Sequence, residues 1–199
     1  LNCTASVAYC RGVIEDESGY AKEGTLAHEA LELWLKFGVP PKDGELYWYL
    51  EPTVLWAFEL EKRGYTVEYE VKTRYDDRLW GTIDIRAIKG RKLKLRDYKH
   101  GYTPVDVRSF QLYCYTICTE KELETQFSDI ELSIAQPRLP HVDGPIRSYT
   151  LPREKLEWFE EELFTAIRKI DEGEIEFKAG KHCRYCARLG NCRTGLNYM

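Results

Sequence analysis

Three groups of side chains in this chain combine residue types that can carry out chemistry at a metal ion. They are Gly24-x3-His28-x3-Glu32, Asp84 with Asp97-Tyr98-Lys99, and Gln111-x3-Tyr115. Together they offer hard oxygen ligands for a divalent cation, a lysine beside an attacking water, and polar groups that can hold a strand. Metal-dependent cleavage of a phosphodiester needs this combination of groups.

Strand alternation selects one of three acid-x-lysine motifs as a candidate site. Residues two apart on a strand share a face. Leu93, Asp97 and Lys99 therefore lie on the same face, which is apolar at its start and charged at its end. This pattern is typical of a strand that begins in the core and ends at a functional site. The other two motifs are Glu70/Lys72 and Glu176/Lys178. We interpret the first as the ordinary solvent face of an amphipathic strand, and the second has no strand pattern around it.

A tight hairpin at residues 89–91 is predicted to bring Asp84 close to Asp97. Two close carboxylates repel each other unless a cation lies between them, which predicts Mg²⁺ or Mn²⁺ at this point. The cation would polarise a phosphoryl oxygen, and Lys99 would orient the water or stabilise negative charge on the phosphate. The alternative is a surface hairpin with cross-strand ion pairs.

Two predicted helices carry the remaining candidates. His28 and Glu32 are four apart and share a helix face, from which His28 could supply a third metal ligand. A nitrogen ligand favours Mn²⁺ over Mg²⁺. Gln111 and Tyr115 are also four apart; the amide could hydrogen-bond a phosphate or the lysine, and the ring could stack on a base. Taken singly, a solvent-touching histidine and the polar edge of a buried helix are the simpler explanations.

The order of elements predicts an α/β fold with a mixed sheet. Apolar periodicity predicts helices over 24–37, 46–63, 107–118 and 152–171, the second interrupted or started near Pro52. Strands are predicted over 65–75, 80–88, 92–99, 128–136 and 147–150. At 199 residues the chain is expected to form a single domain, with an irregular tail from residue 177.

Composition restricts the class of partner. A net charge of −4 argues against a protein that coats nucleic acid through bulk electrostatics, but it allows an enzyme that grips a strand locally. The basic segment 89–99 is most simply a solvated hairpin face. No apolar run is long enough to cross a bilayer. A hydrophobic content of 43% and an aromatic content of 13% predict a globular protein.

The cysteines predict a metal centre of a second kind. Seven is an odd number for a disulfide scaffold and fits an intracellular, reduced protein. The tail carries His182-Cys183-Arg184-Tyr185-Cys186-x5-Cys192, which places three thiolates within ten residues. Two completions are open, because His182 could join the thiolates around zinc, or a distant cysteine could complete a [4Fe–4S] set.

In their order along the chain, these motifs resemble the PD-(D/E)XK nuclease superfamily. The resemblance is to the RecB-like branch of phage exonucleases and to the iron–sulfur CRISPR-associated exonucleases. The matching stretches are Gly24-x3-His28-x3-Glu32, Gly81-Thr82-Ile83-Asp84, Asp97-Tyr98-Lys99-x-Gly101, Gln111-x3-Tyr115 and Ser133-Ile134-Ala135-Gln136-Pro137-Arg138. It implies a restriction-endonuclease-like core, with a central mixed β-sheet flanked by helices, and a C-terminal cysteine-rich iron–sulfur segment. The Pro-Asp that names the superfamily is absent, since Thr82-Ile83 precedes Asp84.

The resemblance also implies a role for each candidate residue. The implied ligands of Mg²⁺ or Mn²⁺ are His28, Asp84, Asp97 and the backbone carbonyl of Tyr98. The implied catalytic lysine is Lys99, and Gln111 and Tyr115 would support it and the DNA strand. Glu32 would orient His28, and Arg138 would contact a phosphate. The implied [4Fe–4S] ligands are Cys3, Cys183, Cys186 and Cys192, with Cys10 as the competitor of Cys3.

These implications predict a metal-dependent DNA exonuclease that hydrolyses phosphodiester bonds of linear, end-bearing DNA. It would act in viral or bacterial recombination, repair or replication, in the cytoplasm, phage-encoded within a bacterial host, and with a recombination or replication protein as partner. One domain would span residues 1–199, with a core over about 20–172 and a cluster segment formed by 1–10 with 177–195. The alternatives are a non-catalytic zinc-bound nucleic-acid-binding module and a degenerate nuclease that acts as a recombination partner.

Overall fold

The computed structural model describes Cys10 and residues 19–199. The chain forms two compact units, of which one spans Ser18–Leu156 and the other contains Cys10 and Glu157–Met199. The predicted core over about 20–172 thus extends beyond the larger unit, and a single domain stays a prediction. No helix among the described residues is long and apolar enough to span a membrane.

The larger unit contains three complete helices and five strands in the predicted order. The helices are α1 (Gly19–Phe37), α2 (Gly44–Lys62) and α3 (Phe110–Leu123). The strands are β1 (Thr66–Arg74), β2 (Trp80–Lys89), β3 (Lys92–Tyr98), β4 (Asp129–Ala135) and β5 (Ile146–Thr150). Helix α4 (Arg153–Asp171) begins in this unit, and the smaller unit ends with two 3₁₀ turns (Lys181–Tyr185, Leu189–Asn191) and α5 (Arg193–Leu196).

The five strands form one mixed sheet, as the sequence predicts. Its order is β1-β2-β3-β4-β5, and only the β3–β4 pair is parallel. A parallel pair needs a crossover connection, which α3 supplies between β3 and β4. The predicted hairpin joins β2 to β3 where Lys89 pairs with Lys92, and Gly90 takes the positive φ of 56° that a tight turn requires.

Helix α2 is continuous, so the predicted interruption or start at Pro52 is wrong. The helix begins with Asp43, whose Oδ1 accepts a hydrogen bond from the backbone N–H of Leu46 at 2.8 Å. Pro52 lies inside the helix and lacks the N–H of one helical hydrogen bond. Leu50 and Val54, which are buried on either side, hold both halves against the core and offset that loss.

One hydrophobic core fixes α1 and α2 against the sheet. It comprises Ala27, Leu31 and Leu35 from α1, Leu50, Val54 and Ala57 from α2, and Ile85, Tyr98 and Ala135 from the strands. The three α1 residues are spaced four apart and form a single stripe. His28 follows Ala27 in sequence. Because the stripe packs against the sheet, the ring of His28 lies near the strands that bear the candidate acids.

Candidate metal and catalytic site

The two candidate aspartates lie where β2 and β3 separate. The ladder between these strands ends at the pair of Ile85 and Arg96, one residue before Asp84 and Asp97. Asp84 Oδ2 accepts a hydrogen bond from the backbone N–H of Tyr98 at 2.6 Å, so a side chain serves as acceptor beyond the end of the ladder. Both aspartates are buried. The hairpin therefore places two carboxylates at the end of the sheet, as the sequence predicts.

Lys99 lies in a short polar chain that links the end of β3 to α3. Its Nζ is 2.9 Å from Asp97 Oδ2 and donates a hydrogen bond to Gln111 Oε1 at 3.0 Å. Gln111 Nε2 in turn donates to the hydroxyl of Tyr115 at 2.8 Å. The structure thus brings the acid-x-lysine motif and the glutamine–tyrosine motif together, and the lysine ammonium is held from two sides.

His28 on α1 lies at the same end of the sheet, next to Asp84; this region is called the corner below. Its Nδ1 lies 3.3 Å from Asp84 Oδ1, and its ring meets the Tyr98 ring edge-on at a centroid distance of 5.6 Å. Burial opposes the charged imidazole, but the hydrogen bond to Asp84 and the charges of Asp84 and Asp97 raise the pKa of His28 above its ordinary value. The expected role of Glu32 in orienting His28 has no counterpart in these contacts, because Lys36 binds the Glu32 carboxylate at 2.6 Å.

Glu70 belongs to this corner, and the sequence interpretation of it as an ordinary solvent-facing acid is wrong. One ligand atom from each of His28, Glu70 and Asp84 lies within 4.8 Å of the others. Neighbouring pairs of β1 and β2 place Glu70 opposite Asp84. Counting this register across the strands could have found it, whereas alternation within β1 alone could not. Asp97 is not a member of this close group of three.

A cavity of about 430 Å³ opens beside His28 and Glu70. Residues on successive turns of α1, from Ala21 to Glu32, line one side of the cavity. Glu70 from β1 lines the other side. The lining carries carboxylates from Glu29, Glu32 and Glu70. Such a wall would repel a phosphate by itself, so an anionic substrate requires a cation between the two.

The carboxyl group of Asp97 has a raised pKa although it forms an ion pair with Lys99. Burial and the charge of Asp84 raise its pKa to about 6, although Lys99 and His28 oppose the shift. Asp97 Oδ2 is buried and accepts no hydrogen bond of normal geometry, despite its ion pair with Lys99. The carboxylates of Asp97, Asp84 and Glu70 and the imidazole of His28 are the kinds of donor that Mn²⁺ or Mg²⁺ binds.

We expect Asp97 to make the metal-free protein less stable as the pH rises from about 4 to about 6. Its folded pKa lies above the ordinary 3.8, so the folded state keeps a proton that the unfolded state has lost, and the resulting stabilisation disappears through this range. Asp97→Asn should remove this dependence and raise the melting temperature at pH 7.5 by roughly 2–6 °C. Thermal unfolding in chelator between pH 4 and 8 measures it. Parallel curves for wild type and Asp97→Asn would contradict the expectation, and Asp129→Asn is the control.

Gly81 makes room for the ring of Tyr115. A Cβ at position 81 would lie 2.6 Å from Tyr115 Cε1, closer than real Cβ atoms come to ring atoms. Tyr115 is buried, so the ring has little freedom to move away. The absence of a side chain at Gly81 therefore sets where the hydroxyl meets Gln111.

Gly81→Ala is expected to destabilise the protein by about 1–3 kcal/mol, because the added methyl overpacks this contact. In a Tyr115→Ala background the same substitution should cost little, since the ring is gone. Urea unfolding of the four proteins of this double-mutant cycle measures the difference. Gly44→Ala, whose Cβ would meet nothing within 4 Å, is the matched control. Equal costs in both backgrounds would show that Gly81 does not act through Tyr115.

Gln136 is a positioning residue whose role the sequence did not reveal. Its fully buried amide donates to the carbonyls of Gly101 and Thr103 at 2.8 and 2.7 Å. Its Oε1 accepts from the backbone N–H of Val105 and from Arg147. These bonds fix the loop between Lys99 and α3, and hence the distance from the lysine to Gln111. The one indication of this residue in the sequence was its position in the Ser133–Arg138 stretch, which resembles the phage exonucleases.

The guanidinium of Arg138 is engaged within the protein. It donates to Glu23 Oε2 at 2.9 Å and to the hydroxyl of Tyr102, and it lies 4.3 Å from the centroid of the Tyr102 ring. A phosphate at this point would compete with Glu23 for the arginine. The predicted phosphate contact stays a prediction.

The cysteine tail brings two distant thiols together in the smaller unit. Cys10 Sγ lies 3.7 Å from Cys186 Sγ. Backbone N–H groups of glycines donate to two other sulfurs, from Gly180 to Cys183 and from Gly195 to Cys192, both at 3.4 Å. The predicted ligand Cys3 lies outside the described residues. Three predicted cluster cysteines and Cys10 thus belong to the same unit.

The fold is an α/β arrangement in which two buried aspartates, a histidine and a lysine lie close together at the end of a mixed sheet. The chain belongs to the DUF2800 family, described as a protein of unknown function, whose match covers residues 1–47 and 57–199. No curated protein matches the chain.

Two solved structures resemble the chain at low identity. One is a protein from Eubacterium rectale described as a candidate exonuclease, with 12% identity and a TM-score of 0.48 over 93% of this chain and 79% of that one. The other is SSO0001, with 14% identity and a TM-score of 0.40 over 95% and 92%. The family assigns no activity, so the chemistry follows from the site itself.

Proposed function

We propose that the protein is a metal-dependent deoxyribonuclease that hydrolyses phosphodiester bonds at the ends of linear DNA. The observation that carries the proposal is the junction of Asp84, Asp97 and Lys99 where β2 and β3 separate, with Gln111 holding the lysine. The choice of DNA ends as substrate rests on the ordered sequence motifs that resemble phage exonucleases. That resemblance also supports an intracellular role in recombination, repair or replication, beside a protein partner of that machinery.

The proposed ligands of Mg²⁺ or Mn²⁺ are His28, Asp84, Asp97 and the backbone carbonyl of Tyr98. When bound, the cation polarises a phosphoryl oxygen and lowers the pKa of a water. The hydrogen bond from Tyr98 N–H fixes Asp84, so one carboxylate oxygen is held and the other is left for His28 and the cation. Asp84 is thus held in position before a cation binds.

Lys99 supplies the positive charge that the phosphate needs as it takes up negative charge. Asp97 and Gln111 fix its ammonium, so the charge is in place before the reaction. Tyr115 holds Gln111 through its hydroxyl, and burial raises the pKa of Tyr115 to about 12. The phenol therefore stays protonated and accepts from the amide across the neutral range.

Digestion of end-labelled DNA tests the proposal. Linear single-stranded and double-stranded substrates and a covalently closed circle are incubated with Mg²⁺, Mn²⁺ or chelator. We expect loss of linear DNA with metal only, no loss of the circle, and no activity in Asp97→Ala. An inert wild-type protein that binds DNA and contains zinc would favour a binding module instead. Metal-independent cleavage, or full activity in Asp97→Ala, would also overturn the assignment.

We propose further that the smaller unit holds a [4Fe–4S] cluster on Cys10, Cys183, Cys186 and Cys192. Backbone N–H donors to Cys183 and Cys192 support thiolate ligation, and the presence of four cysteines in one unit supplies the number of thiolates that a cluster needs. The 3.7 Å between Cys10 Sγ and Cys186 Sγ would also fit two sulfur ligands of one zinc ion. A tetrahedral zinc ion would hold sulfur ligands about 3.8 Å apart. No three cysteine or histidine donors in the described part of the tail lie within 4.8 Å of one another. The Nε2 of His182 lies 2.9 Å from the carbonyl of Lys178, which competes with zinc binding there.

Cys10→Ser is expected to remove the cluster, whereas Cys3→Ser should keep it. Anaerobically purified wild-type protein should be brown, with about four irons and four sulfides per chain. Iron and sulfide analysis of the two variants, with Cys114→Ser as control, measures the effect. Colourless wild-type protein with zinc, or loss of the cluster in Cys3→Ser alone, would contradict this ligand set.

A further inference from the structure

We propose that Glu70 is an additional ligand of the catalytic cation, beside His28 and Asp84. This proposal rests on the metal-dependent nuclease function proposed above and extends it to a residue outside the motifs that define it. Glu70 lies on β1, ahead of the Gly81–Asp84 stretch, and its acid-x-lysine spacing gives no hint of this role.

The spacing of the three donor groups is close to that of ligands on one octahedral ion. Ligand bonds of about 2.1 Å place neighbouring donors about 3.0 Å apart and opposite donors about 4.2 Å apart. His28 Nδ1 and Asp84 Oδ1 are 3.3 Å apart, close to the spacing of neighbours. One donor atom from each of His28, Asp84 and Glu70 lies within 4.8 Å of the other two. A cation therefore fits between them with small side-chain adjustments.

The backbone of β1 is turned locally at Glu70. Its φ is 52°, in the left-handed region that residues with a β-carbon seldom adopt. The pairs Tyr69↔Ile85 and Val71↔Ile83 continue in register on either side, so no residue is inserted. The sheet thus holds one glutamate in an unfavourable conformation, and that glutamate is the residue whose carboxylate approaches His28 and Asp84.

Charges around Glu70 favour a cation. Burial and the negative charges of Asp84 and Glu32 raise the pKa of Glu70, while His28 and Lys36 oppose the shift. Two other observations point to a ligand at this corner, namely the cavity that Glu70 and His28 line and the buried Asp97 Oδ2 that accepts no hydrogen bond. The negative charge of Asp84 raises the pKa of Asp97 as well, and the charge of His28 lowers it. A divalent ion would relieve the repulsion among these acids.

The test is a Mn²⁺ titration of the purified full chain by electron paramagnetic resonance, with free Mn²⁺ as the signal. Glu70→Gln should weaken Mn²⁺ binding at least about tenfold, since even residues that only orient ligands cost 10–100-fold. Glu124→Gln is the matched control because Glu124 has the same residue type and a similar φ of 47°, at the end of α3. Asp84→Asn is the reference for loss of an expected ligand.

A glycine variant separates ligation from backbone conformation. Glu70→Gly and Glu124→Gly should both raise the melting temperature of the metal-free protein, because glycine accepts the left-handed region. Only Glu70→Gly should lose the rise in melting temperature that Mn²⁺ produces in the wild type. If Glu70→Gln folds poorly, the comparison of the two glycine variants still tests whether Glu70 binds Mn²⁺.

The outcomes distinguish this proposal from the function on which it rests. Glu70 is not a ligand if Glu70→Gln binds Mn²⁺ like wild type while Asp84→Asn does not, or if Glu70→Gly keeps the full Mn²⁺-induced rise. Wild-type protein that neither binds Mn²⁺ nor cleaves linear DNA would overturn the nuclease function and this proposal together.

Discussion

Lys99→Ala is expected to reduce metal-dependent degradation of linear DNA by about 10²–10⁴-fold, the range for loss of a preorganised charge or proton-transfer group. Asp97 and Gln111 hold the ammonium in place, so its contribution depends on position and no diffusing cation can replace it. The effect should fall mainly on kcat, because the charge acts on negative charge that develops during the reaction. Single-turnover digestion of an end-labelled duplex in Mn²⁺ measures it.

Lys92→Ala is the matched control, since Lys92 begins the strand that Lys99 follows. Its side chain is 56% exposed and pairs with Asp129 at 3.4 Å, away from the site. Lys92→Ala should keep wild-type activity. Circular dichroism and melting temperature must show that Lys99→Ala is folded, because the change leaves Asp97 without its cation. A folded Lys99→Ala protein with undiminished kcat would remove the lysine from the mechanism.

Asp84→Asn should have the second large effect, a loss of Mn²⁺-dependent activity of 10³-fold or more together with loss of Mn²⁺-induced thermal stabilisation. An asparagine oxygen can still accept the hydrogen bond from Tyr98 N–H, so the strand ends should keep their geometry. What the substitution removes is the negative charge that would bind the cation and that pairs with His28. Thermal unfolding with and without Mn²⁺, beside digestion assays, separates binding from chemistry.

Asp129→Asn is the control for loss of a strand carboxylate. Asp129 begins β4 and is half-exposed beside Lys92, so its replacement should change neither Mn²⁺ binding nor cleavage. An Asp84→Asn protein that keeps the full Mn²⁺-induced rise in melting temperature would exclude Asp84 as a ligand. Loss of activity with intact Mn²⁺ binding would instead move Asp84 from ligation to substrate positioning.

The sequence predicted the elements and the closeness of several candidate site residues because both depend on local patterns. Alternation from Leu93 to Asp97 predicted a strand face that is apolar first and charged last, and in β3 this face is buried from Leu93 through Asp97. The short turn at Gly90 fixed the register of β2 against β3 and so placed Asp84 near Asp97. Gln111 and Tyr115 followed from helical spacing, which puts residues four apart on one face.

The remaining features of the candidate site depend on contacts between residues far apart in sequence, which no local pattern encodes. Glu70 reaches His28 through the pairing of β1 with β2 and a single left-handed residue, and alternation along β1 hides both. Glu32 shares a face with His28, yet Lys36 lies one turn further on and binds it. Pro52 misled the helix prediction because burial of Leu50 and Val54 outweighs one missing hydrogen bond. Gln136 acts on a loop far from it in sequence.

The single parallel pair in the sheet has a consequence for how the protein reaches its native state. Asp97 pairs with Ile134, and the backbone N–H of Lys99 donates a hydrogen bond to the carbonyl of Ala135. Lys99 therefore takes its native position only after β4 has paired with β3. Such non-local pairing costs loop-closure entropy before it gains contacts, and it slows folding relative to hairpins. The β2–β3 hairpin can form early with its acids close together, whereas the cationic side of the site is completed late. A nascent chain would therefore present carboxylates before it could present its lysine in place.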